Sequence, residues 1–265
     1  MVVTAALTNP DPGTIIIATS LGEPMRLALE AAQTLAWHRL GSPGTWWTAA
    51  DRLAIVRETR AAPDCRFCQS RAAALSPLTV SGQHVTTETS LPAPAIEAIH
   101  RIRTDPGRLG ETWFQRLQGA GLTEEAYVEL VSVIAVTVAI DTFRRGAGLE
   151  VFPLPTAEFG APSRRRPTGA KPGLGFVATL APEDRTPDDP DLYQDEPGPR
   201  RRYGANIHRA LSLVPDSMIH WWDVLEELYQ SGPQMRDYGR DYRAISHPQI
   251  ELLAARVAAL NRCEY

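Results

Sequence analysis

Among the three cysteines of this 265-residue chain, Cys65 and Cys68 stand two residues apart. If the segment is helical, that spacing puts both sulfurs on one turn, where they can cycle to a disulfide or hold a soft metal. Asp64 is placed to cap a helix that begins at Cys65 and runs through Leu75. A thiolate is the nucleophilic form, and a helix amino end or a nearby cation favours it; Arg66 and Arg71 flank the pair. Three unevenly spaced cysteines cannot staple a scaffold. In a reducing compartment a C-x-x-C pair is redox-active or metal-binding before it is structural.

Either chemistry needs partners. Zinc would require two ligands beyond Cys65 and Cys68. Cys263 and six scattered histidines are available, but no second close-spaced pair exists, so neither a metal nor another cofactor is expected. For proton transfer, Glu58 lies one or two turns up the preceding helix, while His84 and His100 belong to later segments that can fold back over the pair. The plainer reading leaves Arg66 and Arg71 solvated, pairs Glu58 with a neighbouring arginine, and makes His100 an ordinary helix-face residue. Other catalytic signatures are missing: no Gly-x-Gly-x-x-Gly follows a strand, and neither a Walker pattern nor Gly-x-Ser-x-Gly occurs.

The elements that must position these groups read as helices. A loose segment, 1–20, precedes a helical unit over 21–150. Within it, helices are predicted from Glu23 to Leu40, from the capping box Thr48-Ala-Ala-Asp51 to Ala62, and from Cys65 to Leu75. Others run over Pro92–Arg103 and Gly110–Gln118, and a long one opens at Thr123 and closes near Gly146. The β-branched run Val128–Ile140 reads as a helix surrounded by others, because of its length and cap. Glu129 inside it calls for a partner, an arginine by preference. A proline-rich connector fills 151–204, from Pro153 to Pro199, and is expected to lie over the first unit. Helical patterning resumes at Asn206 for a second, partial unit, 205–265. Trp46-Trp47 and Trp221-Trp222 are expected to fill core or interfaces. The fold class is all-α.

The formal net charge of −4 gives no reason to expect nucleic acid or a membrane as partner. Arg164–Arg166 and Arg200–Arg202 sit among prolines and acids, as in a solvated linker. No apolar stretch near 20 residues and no basic leader are apparent, so a cytoplasmic location is expected.

Superposing the cysteines exposes an internal match. Asp51 through Cys65 corresponds to Gln249 through Cys263, with Thr48 on Ser246 and Phe67 on Tyr265. The second copy, Glu251-Leu-Leu-Ala-Ala-Arg-Val-Ala-Ala-Leu-Asn-Arg-Cys263, resembles the motif of the alkylhydroperoxidase D-like and carboxymuconolactone decarboxylase-like family. That motif is Glu, eleven residues, Cys, two residues, Cys, three residues, His. The helix order around Cys65 and Cys68, with Leu122–Leu130 following, is similar to a whole domain of that family. The resemblance covers about 48–149 and 208–265.

The resemblance implies that Cys68 attacks a peroxide, that Cys65 resolves the sulfenic acid, and that a Glu and a His relay the proton. It also implies a thiol reductant protein and a homo-oligomer. In the first copy, Leu53 occupies the relay-Glu position and Ala72 the His position, so Glu58, Arg71 and His100 are the supporting candidates. In the second copy, Glu251 and Cys263 match, and the sequence stops one residue before the attacking cysteine is due. A thiol-dependent peroxide reductase is therefore the leading reading. A helical scaffold or small-molecule binder that has lost the chemistry is the alternative, and a lactone decarboxylase is a third.

Overall fold

A computed structural model describes residues 16–18, 24–86, 88, 90–193, 204–261 and 263. Its regular secondary structure is almost all helical among the described residues, as expected for an all-α chain. Two three-residue strands, β1 (Ile16–Ala18) and β2 (Pro24–Arg26), pair antiparallel, with Ile17 opposite Met25. They are too short to leave a period-2 signature in the sequence. They delay the first helix, α1 (Leu27–Arg39), which begins four residues later than its composition suggests.

Helix α2 (Ala49–Ala61) starts at the predicted capping box. Thr48 Oγ1 accepts from the Asp51 N–H, and the Asp51 carboxylate accepts from the Thr48 N–H. Pro63 ends it, and a single 3₁₀ turn over Ala62–Asp64 leads into α3 (Arg66–Ala73), with Cys65 as its N-cap residue. Helices α4 (Ala93–Thr104), α5 (Glu111–Gly119) and α6 (Glu124–Gly146) follow.

By length and composition α6 could cross a bilayer, contrary to the sequence expectation, but most of its apolar stretch is buried within the protein. It packs against α1, α2, α4 and a later helix, and contributes Val128, Leu130, Val133, Ile134, Val136 and Ile140 to the core. It is a core helix of the bundle. Glu129, buried on it, faces Arg52 of α2 at 3.5 Å, which is the arginine partner its position calls for.

The proline-rich segment after α6 is irregular and is tied to α1, to the loop before α2 and to the start of α6. Trp37 Nε1 donates to the Pro153 carbonyl, Arg164 N–H to Thr45, and Ala178 N–H to Glu124. Asp189 accepts backbone N–H groups of Thr168, Gly169 and Thr186 and so folds the segment on itself. Beyond it, helical patterning is broken at prolines into α7 (Asn206–Arg209), α8 (Pro215–Leu228), α9 (Gly232–Arg236) and α10 (His247–Leu260). Helix α8 lies against α1 and α6, and Leu213, Val214, Met218 and Val224 join the same apolar core. Helix α10 buries only His247 and Ile250, leaving Leu252, Leu253, Val257 and Leu260 exposed. Its capping box, Ser246 with Gln249, is of the same kind as that of α2.

Candidate functional site: a dithiol facing two histidines

The site sits where α2, α3 and α4 meet. Pro63 stops α2 and turns the chain, so that α3 starts with Cys65 at its cap and Cys68 in its first turn. Helix α4 presents Glu97 and His100, three residues apart and hence on one face. Helix α2 presents Glu58 from its last turn. The segment between α3 and α4 returns over the cysteines and delivers His84.

These groups form two parallel chains of contacts. In one, Cys68 Sγ lies 3.1 Å from His100 Nδ1, and His100 Nε2 lies 2.5 Å from Glu58 Oε1. Thr86 Oγ1 donates to the other Glu58 oxygen at 2.7 Å. In the second, His84 Nδ1 faces both sulfurs, 3.4 Å from Cys68 and 3.9 Å from Cys65. His84 Nε2 contacts Glu97 at 2.6 Å, and Arg71 holds both Glu97 oxygens at 2.9 and 3.0 Å. The Val85 N–H donates to Cys65 Sγ at 3.4 Å. The Arg71 guanidinium also lies over the Phe67 ring, 4.1 Å from its centroid. Arg108 donates to the carbonyls of Arg71, Ala72 and Ala74, which ends α3 two residues before Leu75.

Charge is sorted by these contacts. Burial works to raise the Cys65 thiol, but the N–H groups of Val85 and Cys68 and the His84 ring outweigh it, bringing the pKa down to about 7. Burial likewise opposes charge on His84; its contacts with Cys68, Glu97 and Cys65 prevail and raise it to about 10. Glu97 is held at about 2, because His84 and Arg71 together overcome its burial. His100 is pushed the other way, chiefly by burial and also by the neighbouring His84 charge, against the pull of Glu58. One imidazolium therefore faces the sulfurs beside one neutral imidazole. A neutral His100 that donates from Nε2 to Glu58 has its Nδ1 lone pair aimed at the Cys68 thiol.

Cys65 and Cys68 are 2 % and 1 % exposed, and Glu58 and His100 are wholly enclosed. Two clefts lie elsewhere, one between Tyr193 and α8 and one between Trp37 and the Phe152–Pro155 stretch. Neither is lined by a thiol.

Of the residues singled out from the sequence, Cys65, Cys68, Glu58 and His100 come together. Glu58 pairs with His100 rather than with an arginine. Arg71 acts at one remove, through Glu97, instead of touching a sulfur. Glu251 and Cys263 are not part of this group: Glu251 accepts from Tyr229 Oη and faces His247 Nε2 at 3.4 Å, while Cys263 is exposed. The physical reason is that α10 stays at the surface, so nothing folds its motif onto the first. Sequence reasoning missed Glu97 altogether. Its spacing from His100 is the signal that would have placed it on the same helix face.

Neither a family model, nor a curated protein, nor a solved structure matches the chain.

Proposed function

We propose that the chain is a thiol-dependent oxidoreductase that reduces a hydroperoxide at Cys68, in the manner of the alkylhydroperoxidase D-like proteins it resembles. The observation that carries this reading is the line Cys68–His100–Glu58, a thiol on a neutral imidazole on a buried carboxylate. Such a line activates a weak nucleophile: the imidazole takes the proton and the carboxylate orients the ring and offsets its new charge.

His100 Nδ1 takes the Cys68 proton, and the thiolate attacks the outer peroxide oxygen. The O–O bond breaks, the alkoxide takes the proton from His100 and leaves as the alcohol, and Cys68 carries a sulfenic acid. Cys65, its thiolate favoured by the Val85 N–H and the His84 cation, attacks the Cys68 sulfur. The S–O bond breaks, water leaves with one added proton, and the disulfide forms. An external dithiol then returns two electrons and two protons.

The test is hydroperoxide consumption by the reduced, metal-free chain with a small dithiol as reductant. Wild type should turn over. Cys68→Ser should not, and Cys65→Ser should stop at a sulfenic acid that a cyclic diketone traps. Equal rates for wild type and Cys68→Ser would remove the enzyme reading.

A second reading is favoured by one observation, the near-complete enclosure of both sulfurs. On that reading the cluster is structural and the chain a helical scaffold. Alkylation distinguishes the two, because a scaffold thiol would react only as fast as the protein unfolds.

A further inference from the structure

The same four side chains have a second capacity. We propose that the reduced protein binds one Zn²⁺ ion between Cys65 Sγ, Cys68 Sγ, His84 Nδ1 and His100 Nδ1. The inference does not rest on peroxide reduction; it needs only the ligand geometry.

All four donor atoms lie within 4.8 Å of one another. Zinc–sulfur bonds of about 2.3 Å and zinc–nitrogen bonds of about 2.0–2.1 Å in a tetrahedron put sulfur and nitrogen roughly 3.5 Å apart. Three of the four sulfur–nitrogen separations here are 3.1, 3.4 and 3.9 Å, and the fourth, Cys65 to His100, is within 4.8 Å. The ion would enter with side-chain adjustments of no more than about 1 Å. Two thiolates and two imidazoles suit zinc and exclude magnesium and calcium, which take oxygen.

The surroundings are those of a metal centre. Each histidine turns Nδ1 inward and gives its other nitrogen to a carboxylate, His84 to Glu97 and His100 to Glu58. That arrangement fixes the ring and the tautomer for ligation. The Val85 N–H on Cys65 Sγ offsets thiolate charge, and Arg71 neutralises Glu97. Three of the four ligands, Cys65, Cys68 and His100, are buried and His84 is half-buried, and four protein ligands would fill the tetrahedral shell as they do in structural zinc sites.

The chain itself supplies an independent argument. From Leu75 to Thr86 no residue is buried, and Leu75, Leu78 and Val85 are largely exposed. Apart from the Phe67 ring against Gly82 and His84, this segment is held by polar contacts around His84, Val85 and Thr86. A metal bond through His84 would pin it to α3 and α4, with binding energy that serves directly as folding energy. The ion would also cap both sulfurs, so peroxide turnover would belong to the metal-free form.

The experiment is titration of the reduced, chelator-stripped full chain with Co²⁺, followed by displacement with Zn²⁺. One equivalent should bind with the visible bands of a tetrahedral thiolate site, and zinc should bleach them. Cys68→Ser and His84→Ala should abolish stoichiometric binding. Glu97→Gln, which should leave the helical circular dichroism unchanged, should weaken it roughly 10- to 100-fold. Absence of stoichiometric binding, or binding undiminished in Cys68→Ser and His84→Ala, would overturn the proposal. Peroxide consumption by the stripped protein is scored separately. Binding without turnover sinks only the redox reading; turnover without binding sinks only this one.

Discussion

Glu58 and His100 meet at 2.5 Å with neither side chain reaching solvent, and the sulfur of Cys68 completes the line 3.1 Å beyond the ring. A carboxylate enclosed this way must be satisfied from within, and His100 and the Thr86 hydroxyl do so. Glu58→Gln keeps the shape but puts an amide where a charge was. Expected are a loss of about 1–3 kcal/mol in stability, read by denaturant unfolding, and a fall of roughly 10²–10⁴-fold in peroxide turnover. Turnover equal to wild type would show that the ring needs no carboxylate.

Phe67 couples the returning segment to the site. Its ring lies 5.1 Å from His84 and beneath the Arg71 guanidinium. Gly82 abuts that ring: a β-carbon there would stand 2.5 Å from Phe67 Cδ2. Gly82→Val must push the ring, and with it His84. The expected results are a cost of about 1–3 kcal/mol from overpacking and weaker Co²⁺ binding than wild type. Unchanged binding would mean that His84 is held by Glu97 alone.

Arg52 and Glu129 form a pair buried between α2 and α6, and the Trp46 N–H also donates to Glu129. Burial dominates for both partners, raising the Glu129 carboxyl and lowering Arg52 against their mutual attraction. Glu129→Leu alone strands a buried cation and should cost about 3–5 kcal/mol. The double variant Arg52→Met, Glu129→Leu should recover most of that loss in chemical denaturation. A double variant as unstable as the single one would show that the Trp46 contact, not the charge pair, is what matters. Gly44 belongs to the same arrangement, because a β-carbon there would stand 1.7 Å from Glu129 Oε1.

What the sequence discloses depends on how local the physics is. The Thr48–Asp51 and Ser246–Gln249 boxes involve residues three apart, and both form as read. The Cys65–Cys68 pair at a helix start is equally local. His84 and His100 reach the thiols only because an irregular segment folds back, and no periodicity reports such a path. The spacing of Cys65 and Cys68 shows half of a ligand set; its other half is 16 and 32 residues downstream of Cys68. Arg71 was legible as a cation near a thiol, but which acid it pairs with depends on the packing of α3 on α4. The placement of α6 is of the same kind: composition gives its hydropathy, and only its neighbours explain where that surface goes.

The proline-rich connector carries its own pH-sensitive joint. Asp189, 8 % exposed, accepts from the Thr168, Gly169 and Thr186 N–H groups at 2.8, 2.9 and 3.0 Å, and from both threonine hydroxyls. Burial works against the charge, yet these donors prevail and lower its pKa from 3.8 to about 2. A carboxyl depressed in the folded state stabilises it above its unfolded value and loses that contribution as pH falls through the folded one. Stability should therefore drop between pH 3.8 and about 2 for this group. Asp189→Asn, which turns an amide toward backbone donors, should cost about 1–3 kcal/mol at neutral pH. The gap between variant and wild type should narrow across that same acid range, measured by urea midpoints at successive pH values. A gap that stays constant down to pH 2 would show that the connector is held by contacts other than the Asp189 charge.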